Sequence, residues 1–167
     1  MIFSIKLFDK LFDRAGFDCT KPPLNEYLTK QVSQDIKRNL SVCFVLLDKE
    51  DVVKGYYTLS NSSIPQKHIP RKFFKKFPNS YADIPVTLLG RLAIDKSIFK
   101  KGHGELLLID ALKQSYEVSQ MSIGSVAVVV DPIDGDAMVF YEKYGFIKLE
   151  DSGKMFLPMN VIAKLFE

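Results

Sequence analysis

The sequence VTLLGRLAIDKSIFKKGHGELLL, residues 86–108, decides how the rest of the chain is interpreted. Residues 86–94 are mostly apolar and β-prone, which predicts a buried strand. The polar residues 95–97 interrupt that run, and a second apolar run at 106–112 has helical spacing. The stretch therefore predicts a strand, a glycine-containing loop and a helix in succession.

The loop at residues 100–104 has the features of an anion-binding cradle. Gly102 and Gly104 carry no Cβ, so the backbone there can approach a ligand closely and adopt positive φ. The first turn of the following helix leaves N–H groups unpaired and carries partial positive charge, which suits phosphate oxygens. Lys100 and Lys101 add positive charge. An ordinary strand–helix connection with solvated lysines would look the same, so this loop needs support from a second part of the site.

These residues resemble a known family. The segment LLGRLAID, followed by KKGHGELLLIDAL, is similar to motif A of the GNAT acetyltransferases, whose loop pattern Gln/Arg-x-x-Gly-x-Gly/Ala holds the pyrophosphate of acetyl-coenzyme A. Gly102 and Gly104 fill the glycine positions, whereas Phe99 departs from the pattern and supplies neither charge nor a polar cap. The resemblance implies a coenzyme-binding set made of Leu92, Ala93, Ile94, Phe99, Lys100, Lys101, Gly102, His103, Gly104, Glu105, Asp131 and Phe140.

A second motif follows at residues 136–146, DAMVFYEKYGF. It resembles motif B of the same fold, Phe-Tyr-x-x-x-Gly-Phe, and stands at the separation from motif A that the family has. By its position in that motif, Tyr141 is the candidate catalytic residue, donating a hydrogen bond or a proton to the leaving thiolate. The alternatives are that Tyr141 is a packing residue with a surface hydroxyl, or that Tyr144 on the same helix face is the donor.

Together the two motifs imply the GNAT fold. This is an α/β (α+β) architecture with a central mixed, twisted sheet flanked by helices and a V-shaped splay between the fourth and fifth strands. In this fold the splayed strand exposes backbone N–H groups to the acetyl carbonyl, and the matching positions here are Leu92, Ala93 and Ile94. Such preorganised donors usually make the largest contribution to catalysis. A free α-amine has a pKa of about 7.7–8.0, so a dedicated strong base is not essential.

Periodicity predicts the elements of the first half of the chain. Strands are predicted over residues 1–7, 41–47 and 52–60, the last two as a hairpin with an acidic turn. A helix should run from Pro23 to near Asn39, because its apolar residues recur at three- and four-residue steps.

The second half continues the α/β pattern. The continuously apolar run at 123–130 should be a strand buried on both faces, parallel to the strand at 86–94. Asp134 should cap a helix that Gly145 ends. That helix should be lined by Ala137, Val139, Phe140 and Tyr144. Strands at 146–149 and 154–159 and a terminal turn at 160–166 complete the prediction.

The segment at residues 61–83 concentrates basic and aromatic side chains. No acidic residue occurs between Pro65 and Pro78. A short helix at 70–77 would place its phenylalanines against the core and its lysines outside, so the run is either a solvated helix face or a phosphate-contacting surface for RNA. The candidate RNA-contacting residues are Lys37, Arg38, Lys67, Arg71, Lys72, Lys75, Lys76 and Arg91.

Composition limits the class of protein. The chain has 167 residues, is 47% hydrophobic and carries a formal charge of +3, which fits one domain, residues 1–167, with a substantial core. No apolar run reaches the ~20 residues of a membrane helix, and the N-terminus lacks a signal-peptide cleavage pattern. Cys19 and Cys43 are the only cysteines and have no zinc-site spacing, so we expect a cytoplasmic protein without a metal, a disulfide framework or a membrane partner.

The resemblance narrows to the acetyltransferase toxins of bacterial toxin–antitoxin pairs and covers nearly the whole chain. It is carried by FDC at 17–19, PPLNEYLTKQVSQDIKRNLSVCFVL at 22–46, GYYTLSNSSI at 55–64 and FLPM at 156–159, besides LLGRLAID. Those toxins acetylate the α-amine of aminoacyl-tRNA and so block translation. A small antitoxin with a ribbon-helix-helix DNA-binding part holds them in check, and they commonly dimerise. The resemblance implies the same substrate, antitoxin and homodimer for this chain.

Two other functions stay open at this point. The chain could acetylate a small-molecule amine or a protein N-terminus, which a deep acidic acceptor cleft would favour. It could also be a non-catalytic module that binds acetyl-coenzyme A or a partner protein. Phe99, which departs from the coenzyme-binding pattern, favours this alternative, whereas the presence of the candidate catalytic residue Tyr141 argues against it. The basic segment favours the acetyltransferase that acts on aminoacyl-tRNA.

Overall fold

One mixed β-sheet carries the fold. The computed structural model describes residues 2–74 and 77–167, and of Phe74 it describes the backbone alone. The strands in this part of the chain are β1 (Ser4–Leu7), β2 (Val42–Leu47), β3 (Val53–Pro65), β4 (Asp83–Ile94), β5 (Ala127–Val130), β6 (Ile147–Lys148) and β7 (Met155–Pro158). They form a seven-stranded sheet in the order β1-β2-β3-β4-β5-β7-β6.

Strand directions in the sheet are mixed, as predicted. β1 pairs with β2 and β2 with β3 in antiparallel fashion, β4 and β5 are parallel, and β7 is antiparallel to both β5 and β6. The helical elements are α1 (Pro22–Glu26), a π-helical segment (Tyr27–Gln31), α2 (Val32–Lys37), α3 (Arg71–Phe74), α4 (His103–Met121), α5 (Gly135–Lys143) and α6 (Met159–Ala163). Short 3-10 turns lie at Gln66–His68 and Lys96–Ile98.

The chain divides into two compact units. Unit 1 comprises Met1–Ser60 and Gly90–Ala111, and unit 2 comprises Asn61–Leu89 and Leu112–Glu167. β3, β4 and α4 each contribute residues to both units.

The core of unit 1 lies between the first helical region and the antiparallel strands. Tyr27, Leu28 and Val32 are the buried residues of that helical region, and they cluster with residues of β2 and β3 that include Cys43 and Tyr56. The apolar spacing read from the sequence therefore predicted the correct helix face. The π-helical segment interrupts the regular α-helix that was expected over this stretch.

The core of unit 2 is built on β5, whose four residues are all buried. Val129 and Phe156 belong to a cluster that also holds Ile69 and Ile84. Phe73 from α3 packs edge-on against Phe156, with ring centroids 5.3 Å apart. Phe77 is partly buried against the same cluster, so the prediction that phenylalanines of the basic segment face the core is confirmed for these two rings.

Some element boundaries differ from the predictions. β5 begins at Ala127, not at residue 123, because the amides of Ser122 and Ile123 both donate to the carbonyl of Val118 and so prolong the end of α4. β3 continues five residues beyond Ser60, to Pro65. On α5, Val139, one of the residues expected to line the helix, is 68% exposed.

The caps of α5 match the prediction. The Asp134 side chain accepts a hydrogen bond from the amide of Ala137, and Gly145 ends the helix at φ +92°. Among the described residues, no helix combines the length and the hydropathy needed to cross a membrane.

Candidate coenzyme and catalytic residues

The carboxyl end of β4 extends past its pairing with β5. The parallel register covers Thr87, Leu88 and Leu89, and it ends where Leu89 lies beside Val130. β4 itself continues to Ile94. This matches the predicted splay between the fourth and fifth strands, and it leaves the following part of β4 with one edge outside that ladder.

The amide of Ile94 is oriented by the residue that follows it. The amide of Asp95 donates to the carbonyl of Lys54 in β3, at 2.9 Å. Successive N–H groups of a strand point to opposite edges. The Ile94 N–H therefore faces away from β3, as a donor to an acetyl carbonyl must.

Two glycines mark places where β3 and β4 lie close together. A Cβ on Gly55 would lie 2.9 Å from Ile94 Cδ1, whereas a Cβ on Gly90 would lie 3.0 Å from Thr58 Oγ1. A larger residue at either position would require its neighbour to shift. Leu92 and Ala93 lie between these two contacts on β4, where Ala93 is buried and Leu92 is partly buried.

The loop after β4 has the backbone of an anion cradle. A 3-10 turn at Lys96–Ile98 leads to Phe99, which is 41% exposed. Lys100 and Gly102 then have φ +60° and +82°. Such a conformation is ordinary for glycine and uncommon for lysine.

The first turn of α4 faces this loop with unpaired amides. The first helical hydrogen bond runs from the Leu106 amide to the Gly102 carbonyl, at 3.1 Å. The amides of residues 103–105 therefore precede the helical ladder and have no partner within it. Gly104 lies in α4 and, unlike Gly102, does not have positive φ. A Cβ on Gly102 would meet no atom of the described residues within 4 Å, so this side of the loop is open to them.

The charged side chains of the loop differ in their surroundings. Lys100, Lys101 and Glu105 are exposed, and neither lysine forms an ion pair with any described residue. The His103 ring instead packs edge-on against Phe3, with ring centroids 4.7 Å apart. The unpaired amides and the two lysines fit a diphosphate, which needs several donors and a positive field.

A buried carboxylate fixes the start of this loop. Asp95 is 6% exposed and accepts from the Asp18 amide at 2.9 Å, and from the amide and hydroxyl of Ser97 at 2.9 and 2.6 Å. Burial alone would raise the pKa of Asp95, but these hydrogen bonds outweigh it and hold the pKa below its usual value. Asp95 is not among the site residues predicted from the sequence, because its partner Asp18 lies 77 residues away.

In unit 2, α5 presents the tyrosine of the second motif. Tyr141 is 7% exposed, and its ring packs against Phe140 and Phe146 with centroids 5.3 and 5.2 Å away. Its hydroxyl has no hydrogen-bond partner among residues 2–74 and 77–167. Burial raises the pKa of Tyr141, so the phenol stays protonated well above neutral pH.

The other candidates on this unit are placed as follows. Tyr144 is partly exposed and lies 5.1 Å from the Phe140 ring. Asp131 directly follows β5 and is exposed. In the described chain no group of three or more His, Cys, Asp or Glu side chains is placed to hold a metal ion.

The basic candidates have different environments. Lys67, Arg71 and Lys72 of unit 2 are exposed, as are Lys37 and Arg38 of unit 1. Lys75 and Lys76 lie outside the described residues.

Arg91 is the exception among the basic candidates. Its guanidinium lies over the Tyr27 ring at 3.6 Å from the centroid, and the Tyr27 hydroxyl donates to Asp35 at 2.9 Å. Arg91 is thus engaged in packing within unit 1.

Comparison with known proteins identifies the family. No protein-family model matches the sequence. The chain is 31% identical over 134 residues to the "tRNA-acetylating toxin" of Mycobacterium tuberculosis, an alignment that covers 80% of this chain and 78% of the relative. The chain belongs to the family of tRNA-acetylating toxins.

Solved structures of such toxins agree with this assignment. AtaT complexed with acetyl-methionyl-tRNAfMet is 31% identical, with a TM-score of 0.90 over 99% of this chain and 100% of that one. A tyrosine-to-phenylalanine variant of AtaT, bound to the C-terminus of the antitoxin AtaR and to acetyl-CoA, is 28% identical, with a TM-score of 0.82 over 98% of each chain. The predicted GNAT fold is confirmed, and this member of the family is an acetyl-coenzyme A-dependent acetyltransferase.

Proposed function

We propose that this chain transfers the acetyl group of acetyl-coenzyme A to the α-amine of an aminoacyl-tRNA and so blocks translation. The observation that carries the proposal is the cradle at residues 100–105, in a chain that belongs to the tRNA-acetylating toxins. The acetylated methionyl-tRNA in the AtaT complex is the product expected from such a reaction.

The cradle suits the diphosphate of the coenzyme. The free amides of the first turn of α4 donate to its oxygens, and Lys100 and Lys101 offset its charge. Phe99 supplies no donor, so the backbone and the lysines provide the polar contacts. Asp131 and Phe140 remain proposed coenzyme contacts because of their positions in the family's motifs.

The end of β4 stabilises the developing negative charge. When bound, acetyl-coenzyme A supplies the acetyl group as a thioester. The amide of Ile94, within the stretch that starts at Leu92, donates to the carbonyl oxygen where charge develops during attack by the amine. Such a fixed donor acts without reorganisation and is typically worth a factor of 10² or more.

Tyr141 is proposed to donate to the departing sulfur. Its hydroxyl has no competing acceptor among the described residues, and burial keeps it protonated. Because burial raises its pKa, complete proton transfer to a thiolate is uphill, and its contribution is a hydrogen bond that strengthens late in the reaction.

The partners follow from the same family. AtaT binds the C-terminus of the antitoxin AtaR. We infer a cognate antitoxin for this chain, with a ribbon-helix-helix DNA-binding part, together with a homodimer and a cytoplasmic location. The strands and the helix that contribute to both units support one acetyltransferase domain over residues 1–167.

The test compares two tyrosines on one helix. The purified protein is incubated with acetyl-coenzyme A and aminoacyl-tRNA, and the acetylated product is measured. Tyr141→Phe should lower turnover about 10²-fold while the melting temperature stays unchanged, because no hydrogen bond within the described chain is lost. Tyr144→Phe, the matched control, should keep normal turnover. Absence of acetylated tRNA with the wild-type protein would refute the function, and loss of activity in Tyr144→Phe alone would reassign the donor.

A further inference from the structure

The carboxylate of Asp95 joins separate segments of unit 1. Its Oδ2 accepts from the Asp18 amide at 2.9 Å, and its Oδ1 accepts from the amide and hydroxyl of Ser97 at 2.9 and 2.6 Å. Its own amide donates to the Lys54 carbonyl at 2.9 Å. Because Asp95 is almost fully buried, water competes little for these bonds, and they hold the backbone more firmly than exposed ones would.

A second bridge lies one residue further on. The amide of Lys96 donates to the carbonyl of Asp18 at 2.8 Å, and Lys96 Nζ lies 3.1 Å from Asp18 Oδ2. The Asp18 segment is itself fixed, because the Asp18 side chain accepts from the Thr20 amide at 2.8 Å and from Asn25 at 3.1 Å. The end of β4 is thus anchored to β3 on one side and to a rigid turn on the other.

We propose that Asp95 is a positioning residue for acetyl transfer, whose carboxylate holds the neighbouring Ile94 amide in the direction that donates to the acetyl carbonyl. The inference rests on the proposed function. Asp95 itself does not touch the acetyl group. Its effect is transmitted through one peptide unit, and a misplacement of about 1 Å in such a unit can cost about 10²-fold in rate.

Asp95→Asn tests this with little change in size. An asparagine has one accepting oxygen, and either orientation of its amide sets the NH₂ group against the N–H of Asp18 or of Ser97. Ser97→Ala is the matched control, because it removes the hydroxyl bond and leaves the link from Asp95 to Asp18 intact. Asp95→Ala, which removes all three bonds, is a second variant, and circular dichroism checks that each protein is folded.

The readout separates positioning from general support of the fold. The Ile94 amide is proposed to donate to the acetyl group, which coenzyme A lacks. Calorimetry therefore measures the affinities for acetyl-coenzyme A and for coenzyme A, and their ratio reflects the contribution of this donor. Asp95→Asn should lower the affinity for acetyl-coenzyme A about 3- to 10-fold relative to coenzyme A, and should lower kcat about 10- to 100-fold. Ser97→Ala should leave the affinity ratio unchanged.

The alternative outcomes are distinct. Equal losses of affinity for both ligands in Asp95→Asn would mean that Asp95 supports the whole site, and would overturn the inference. An unchanged ratio with unchanged kcat would overturn it as well, while leaving the proposed function intact. A wild-type protein that binds neither ligand would refute the proposed function, and the inference with it.

Discussion

Gly55 is the position where a single methyl group should disturb the end of β4. A Cβ there would lie 2.9 Å from Ile94 Cδ1, 2.9 Å from Leu107 Cδ1 and 3.1 Å from the carbonyl oxygen of Ala93. The two methyl carbons can move by side-chain rotation, but the carbonyl oxygen belongs to the backbone of β4. Gly55→Ala must therefore displace either β3 or the strand end that is proposed to bind the acetyl group.

The size of the effect follows from this overpacking. One methyl group forced into a well-packed core typically costs about 1–3 kcal/mol of unfolding free energy. For a domain of this length the melting temperature falls about 2–4 °C per kcal/mol, which gives a decrease of roughly 2–12 °C. A shift of the Ala93–Ile94 backbone should also lower kcat at least about tenfold in molecules that remain folded.

Gly16→Ala is the matched control, because a Cβ at Gly16 would meet no atom of the described part of the chain within 4 Å. Its unfolding free energy should stay within about 0.5 kcal/mol of the wild-type value. Urea denaturation of both variants, with the slope m checked for constancy, measures the difference. If Gly55→Ala is as stable as Gly16→Ala and retains normal kcat, the close packing of β3 against the end of β4 does not fix the position of that strand end.

Three further predictions concern binding and pH. Turnover should rise with pH as the α-amine of the substrate loses its proton near ~7.7–8.0. It should not fall until above pH ~10, because burial raises the pKa of Tyr141 and keeps the phenol protonated. A decline in turnover with a midpoint below pH 9 would contradict this expectation. Simultaneous replacement of Lys67, Arg71 and Lys72 by alanine should weaken tRNA binding. It should also reduce the slope of log affinity against log salt concentration by about 2, at ~0.7 per lost phosphate contact. An unchanged slope would mean that these residues form a solvated surface that does not contact tRNA. Gly102→Ala should lower the affinity for acetyl-coenzyme A and reduce the free energy of unfolding by about 1–2 kcal/mol, because φ is +82° there. Gly102→Asn should lose less, because asparagine tolerates positive φ better than alanine does. Equal stability of the wild type and both variants, measured by urea denaturation, would count against a rigid cradle.

The elements that local patterns specify were predicted well. The helical spacing from Leu24 to Ile36 gave the correct buried face, the apolar run ending at Val130 gave a strand buried on both faces, and Asp134 and Gly145 marked the ends of α5. In each case the determining interaction lies within a few residues along the chain. Both motifs also fall on the predicted strand, loop and helices.

Features that depend on tertiary contacts could not be predicted. The hydrogen bond from the Asp18 amide to the Asp95 carboxylate joins residues far apart in sequence, and no local sequence pattern predicts it. The stacking of Arg91 on Tyr27 could not be predicted for the same reason, since in the sequence Arg91 is one more basic residue before the glycine-containing loop. The start of β5 was misplaced because Ile123 is as apolar as the strand that follows, although its amide completes the end of α4.

The protonation state of Tyr141 bears on which amines this enzyme can use. A phenol that stays neutral can donate a hydrogen bond to sulfur, but it does not remove a proton from the acceptor, so the acceptor must arrive as a free amine. At pH 7 roughly one in seven molecules of an α-amine with a pKa of ~7.8 is neutral, whereas a lysine side chain with a pKa of ~10.4 is neutral in only about one molecule in 2,500. The difference, a few hundredfold, favours the α-amine of an aminoacyl-tRNA over the ε-amine of a protein lysine before any contact with the acceptor is considered. The neutral fraction alone therefore favours α-amines as a class of acceptor over lysine side chains.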